Sequence, residues 1–158
     1  MSIVQKEEFD LLKKNGVYIA HCPTSNSNLS SGICPAAKFL REGCNIGIGS
    51  DVSGGHTLDL FEVMRHAIQI SKMDFKHIHT AQKPLTLTET FYMATNLGGR
   101  FFGKVGVFEK DYEFDALVLD ESLIKNVREY DEKERLERFI YNKDAKLESK
   151  FIKGNKIF

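Results

Sequence analysis

The sequence predicts an α/β fold built on a parallel sheet, and three observations carry that expectation. Two short apolar runs, residues 17–20 and 45–49, show no polar alternation and are too short for helices, as expected of strands buried on both faces. Each run is followed by a polar stretch and then a helical pattern. The resulting βα repeat of about 30 residues implies right-handed crossovers between parallel strands. Both strand exits are polar, His21 on one and Asp51 on the other. Neighbouring strands would therefore present them on the same rim, beyond the carboxyl ends where such folds bind ligands.

In chain order, residues 6–14 read as a helix, with acids in the first turn, lysines in the last and Gly16 as C-cap. The first strand follows, then the polar, turn-forming stretch 21–28. Pro35 is expected at the first position of a second helix that Gly43 closes. After the second strand, a loop bearing Gly54 and Gly55 leads into a third helix, where Leu60, Phe61, Met64, Ala67 and Ile68 share one face. Thr86 to Glu89 form a capping box that opens a helix running to Gly98-Gly99. Residues 114–120 contain a short strand, and Asp131 caps a charged helix carrying Leu136, Phe139 and Ile140. A hairpin is expected around Gly154-Asn155. The boundary between the βα units and a smaller β-rich part is placed near residue 103, giving portions 1–103 and 104–158.

Length and charge remove whole classes. A chain of 158 residues is too short for a complete (β/α)8 barrel, which takes at least about 200. With 22 basic and 22 acidic side chains, it lacks the basic stripe of a nucleic-acid reader. Its apolar runs of four or five residues exclude a membrane span, and its first eight residues lack the pattern of a signal peptide. The three cysteines, at spacings of twelve and ten, form neither a disulfide framework nor a metal knuckle. Reduced thiols and a cytoplasmic location are expected.

Asp51 is the strongest candidate for chemistry. A carboxylate directly after a buried strand, with two glycines behind it, suits a metal ligand or general base; the competing reading is an N-cap for the next helix. His21 has a similar placement and suits metal ligation or a bond to substrate or a bound water, against a histidine satisfied by backbone. Ser25 and Asn26 are turn residues on their own showing. His77 and His79 have metal-like spacing but sit in a polar stretch after a helix, and read as a solvated loop. His66 reads as a surface or boundary residue of its helix, and His56 lies close to the rim. Cys22, Cys34 and Cys44 read as buried small thiols, and the alternating Gly47 and Gly49 do not form a phosphate loop.

The runs Val17–Asn26 (VYIAHCPTSN), Leu29–Gly32 (LSSG) and Ile46–Gly55 (IGIGSDVSGG) resemble the amidohydrolase superfamily and, within it, the guanine deaminases. Residues 86–95 and 112–120 resemble the family's helix after the barrel and its return into a small β-domain. The resemblance implies the C-terminal fragment of a (β/α)8 metal-dependent hydrolase plus part of that β-domain, with the two buried strands as the seventh and eighth. It implies hydrolysis of guanine to xanthine and ammonia in purine catabolism or salvage. One zinc or iron ion per complete site would activate the water. Asp51 would be its carboxylate ligand and proton shuttle, and His21, Ser25 and Asn26 would line the purine pocket or orient groups around it. The family's His-x-His on the first strand, its two later metal histidines and its acidic proton shuttle have no counterparts in this sequence. The chain alone is therefore expected to be inactive and to need a complementing N-terminal barrel segment or a homo-oligomer. A related nucleobase aminohydrolase, or a non-catalytic interaction module, are the competing readings.

Overall fold

A computed structural model describes residues 6–142 and 146–158; the reading of the first residues as lacking a signal peptide therefore falls largely outside the described part. Helix α1 (Lys6–Lys14) carries Glu7 and Glu8 in its first turn and Lys13 and Lys14 in its last, complementing the helix dipole. Gly16, at φ +60°, takes the left-handed conformation that ends it. Strand β1 (Tyr18–His21) pairs in parallel with β2 (Asn45–Ile48), with Ile19 opposite Ile46 and His21 opposite Ile48.

The stretch after β1 differs from expectation. Although rich in turn formers, it holds a helix, α2 (Pro23–Asn28), with proline in its first turn. Proline pre-sets the helical φ where its missing N–H costs nothing. Burial of Pro23, Thr24 and Ser25 then supplies through packing what serine and asparagine lack in propensity. Helix α3 (Ala36–Arg41) starts one residue later than expected, with Pro35 as its N-cap.

Helix α4 (Leu60–His77) begins at Asp59, whose carboxylate accepts from the Phe61 N–H. It buries Met64, Ala67 and Ile68 of the face its periodicity announced, together with Val63, while Leu60 at its start is exposed and Phe61 half-buried. Thr86 and Glu89 cap each other reciprocally at the start of α5 (Leu87–Tyr92), which continues through a π-helical turn, Met93–Leu97, to Gly98. That turn lies directly on β2. A Cβ on Gly47 would come 3.0 Å from the Gly98 Cα, so the close approach requires glycine.

The second part is antiparallel: β3 (Ala116–Asp120), β4 (Lys146–Ile152) and β5 (Asn155–Lys156) form a sheet in that order. The expected hairpin is present, and its longer strand also pairs with β3. Helix α6 (Glu132–Tyr141) carries a second reciprocal cap, Asp131 with Glu134. Its Ile140 packs with Met64, Ile68 and Leu87, and the Ile140 carbonyl accepts from Arg65. The main core joins Phe9, Phe39, Ile46, Ala67, Met93 and Leu97. Among the described residues no helix is long and apolar enough to cross a membrane.

Candidate functional site

The site is built where β1 and β2 end. Asp51 is exposed and adopts φ +48°, a left-handed conformation that aspartate tolerates better than most residues. Its carbonyl accepts from the Gly55 N–H at 2.6 Å, closing a tight turn over residues 51–55. The cap of α4 is Asp59, so the N-cap reading of Asp51 falls away and its carboxylate remains uncommitted to the helix.

The paired glycines let α2 lie against this turn. A Cβ on Gly54 would stand 2.6 Å from Ser25 Oγ and 3.2 Å from Asp51 Oδ2. The Ser25 hydroxyl and the Asp51 carboxylate thus border the same small space. A Cβ on Gly55 would meet the Ser50 carbonyl, and Thr24 Oγ1 at 2.8 Å. Thr24 Oγ1 is itself buried without a protein partner.

His21 turns the other way. Its side chain is 2% exposed, and its Nδ1 has no hydrogen-bond partner. Burial, with the nearby His66 adding to it, lowers its pKa to about 4, so the imidazole is neutral near pH 7. With Asn26, Ser27 and Cys34 it lines a cleft of about 220 Å³. The structure therefore brings His21 and Asn26 together in one cleft and Ser25 and Asp51 around a second space, with α2 between them.

Cys22 is the neighbour that the sequence reading missed. Its half-buried thiol is raised by burial and then by the Asp51 charge, and a Cβ on Gly49 would lie 2.9 Å from its sulfur. Strand alternation was the available signal, because consecutive residues at the end of β1 face opposite sides.

Three of the four remaining histidines have hydrogen-bond partners. His66 Nε2 lies 2.8 Å from Ser27 Oγ. His56 Nδ1 is 3.4 Å from Asn28 Nδ2, and its Nε2 is 3.3 Å from Glu62 Oε1. His77 ends α4. His79 Nδ1 sits 2.7 Å from the buried Asp74 carboxylate, a hydrogen-bonded contact that ties the otherwise exposed stretch after α4 back to that helix. A catalytic zinc normally holds three protein ligands. Among the described residues no group of three His, Cys, Asp or Glu could hold a metal. These residues by themselves therefore do not fit a complete metal site, and no metal-dependent step follows from them alone.

Comparison with known proteins adds three findings. The Amidohydrolase family pattern matches residues 1–157. The guanine deaminase of Dictyostelium discoideum is 35% identical over 159 residues, an alignment covering 96% of this chain and 35% of that protein; the Homo sapiens guanine deaminase is 37% identical over 118 residues, covering 72% and 26%. A crystal structure of guanine deaminase from C. acetobutylicum, with guanine bound in the active site, superposes with a TM-score of 0.90 at 48% identity, covering 99% of this chain and 38% of that one. The chain thus spans little more than a third of the length of these relatives at most. A match along almost the whole sequence, together with parallel strands that end at a shared polar rim, shows that the chain belongs to the amidohydrolase family.

Proposed function

We propose that this chain is a portion of a metal-dependent guanine deaminase, which hydrolyses guanine to xanthine and ammonia. The observation that carries the reading is the 48% identity, over 99% of the chain, to a guanine deaminase crystallised with guanine in its active site. In a complete enzyme Asp51 would offer one carboxylate to a divalent ion, zinc or iron, and would hold a proton for the departing ammonia. The ion would supply Lewis acidity toward water. Its other ligands would have to come from a complementing barrel segment. Ser25, beside Asp51, and His21 and Asn26, in the adjoining cleft, orient the groups that meet the purine. A cytoplasmic place in purine catabolism or salvage accords with this activity.

The reading is tested by a chimera in which this chain replaces the matched 38% of the C. acetobutylicum enzyme. The chimera is expected to release ammonia from guanine, and Asp51→Asn to lower kcat by about 100-fold or more, beyond what the loss of an outer-shell partner costs. A folded, metal-loaded chimera that leaves guanine untouched would overturn the assignment. Robust turnover by the isolated 158-residue chain supplied with zinc would instead overturn the need for a complementing segment.

A further inference from the structure

The turn that carries Asp51 is anchored from outside by the Asn28 side chain. Asn28, the last residue of α2, donates from Nδ2 to the Gly54 carbonyl at 3.0 Å. The same amide nitrogen lies 3.4 Å from His56 Nδ1. An amide nitrogen has two hydrogens and accepts nothing, so His56 Nδ1 is the acceptor and its Nε2–H faces Glu62 Oε1 at 3.3 Å. Asn28 therefore holds both sides of the bend, the carbonyl of Gly54 and the ring two residues beyond. Gly54 in turn is where the Asp51 carboxylate and the Ser25 hydroxyl converge, and the next residue, Gly55, bonds back to the Asp51 carbonyl.

We infer that Asn28 is a positioning residue for Asp51: through Gly54 and His56 it holds the 51–55 turn in the left-handed geometry that aims the carboxylate. The inference rests on the role proposed for Asp51 and deepens it. Asp51 sits at φ +48°, a conformation a non-glycine residue keeps only when its surroundings enforce it. The turn is exposed from Asp51 to Ser53, so its own packing does little of that enforcing. Within the turn the Gly55–Asp51 bond and the Val52–Gly55 bridge oppose relaxation, and from α2 the Asn28 amide does. The donor must be an amide. Aspartate at position 28 has the same shape, but it would set an acceptor against the Gly54 carbonyl, and His56 could meet it only by moving or gaining a proton at Nδ1.

Two readouts test this, one independent of catalysis. In hydrogen exchange on the 158-residue chain, Asn28→Ala and Asn28→Asp are each expected to speed the Gly55 amide roughly tenfold, the loss of about one hydrogen bond. The Ile46 amide in β2 should keep its rate. In the chimera with the C. acetobutylicum enzyme, both variants are expected to lower kcat for guanine about tenfold while KM stays within about twofold. Equal acceleration at Gly55 and Ile46 would mean general destabilisation and would overturn the inference, as would an unchanged Gly55 rate. An unsubstituted chimera without activity, combined with selective acceleration at Gly55, would sink the deaminase reading and leave the anchoring role standing. Because Asn28 is exposed, either substitution should leave the fold intact.

Discussion

His66 Nε2 lies 2.8 Å from Ser27 Oγ, and the same hydroxyl donates to the Pro23 carbonyl at 2.9 Å. A serine hydroxyl has one proton; with that proton on the Pro23 carbonyl, His66 donates from Nε2, so the bond made on α2 selects its tautomer. This pair ties α2 to α4, and α2 is the wall between His21 and Asp51.

Nitrogen-15 spectra are accordingly expected to show His66 protonated at Nε2 near pH 7. Ser27→Ala removes the acceptor, and urea melts should show a loss of about 1 kcal/mol, the usual worth of such a bond. A protonated Nδ1 with a bare Nε2 would contradict the arrangement.

Acid sensitivity follows from His21. Its pKa is lowered to about 4, first by burial and then by His66, against about 6.5 in an unfolded chain. Between those values the unfolded state binds the extra proton, so stability rises with pH there. The contribution is intact above about pH 6.5 and lost as pH falls toward 4, by roughly 3 kcal/mol at most. Burial also lowers the pKa of His66, so it acts in the same direction. Thermal melts across this range should show a shallower decline for His21→Gln than for the parent; identical slopes would refute the account.

Arg41 joins three segments. Its guanidinium grips both Glu89 oxygens, at 2.8 and 2.9 Å, and donates to the carbonyls of Lys83 and Pro84. Burial opposes ionisation of Glu89, yet the hydrogen bonds from Arg41 and Thr86 hold its pKa below the usual value. Lysine keeps the charge but cannot make the fork. Arg41→Lys is expected to cost about 1–2 kcal/mol in denaturant melts, because bidentate charged bonds are worth more than neutral ones. A change within error would show that the exposed part of the clamp is screened away.

Gly47→Ala should destabilise through overpacking. The new Cβ would sit 3.0 Å from Gly98 Cα, a backbone atom with no rotamer to yield, while the Met93 carbonyl at 3.5 Å would be in ordinary contact. A cost of about 1–3 kcal/mol is expected, measurable as a lowered melting temperature. Gly43→Ala makes a useful contrast, since nothing lies within 4 Å there and only its φ of +83° is strained.

Much of the fold was legible because local chemistry and global placement agree. The capping boxes at Thr86–Glu89 and Asp131–Glu134, the left-handed Gly16 and the periodic face of α4 each announce an element that forms where expected. Helix α2 was not legible, because Thr24, Ser25 and Asn26 carry no apolar period and the helix is held by burial of Pro23, Thr24 and Ser25. The π turn was equally hidden, since Met93–Leu97 continues a helical pattern and only the contact with Gly47 gives the turn a place against β2.

What the sequence determined by itself is the order of the strands and of the capped helices, the family, and the exit of His21 and Asp51 from neighbouring strands. These depend on residue type and spacing, which translate directly into period and register. Only the tertiary structure decided that His21 turns into a buried cleft while Cys22 and Ser25 border Asp51, and that Asn28 reaches across to Gly54. Side-chain direction at a strand end, and contact between residues 26 positions apart, follow from how α2 packs on α4 and on the glycine turn. Packing of that kind arises from the simultaneous fit of many groups, and no local run of residues encodes it.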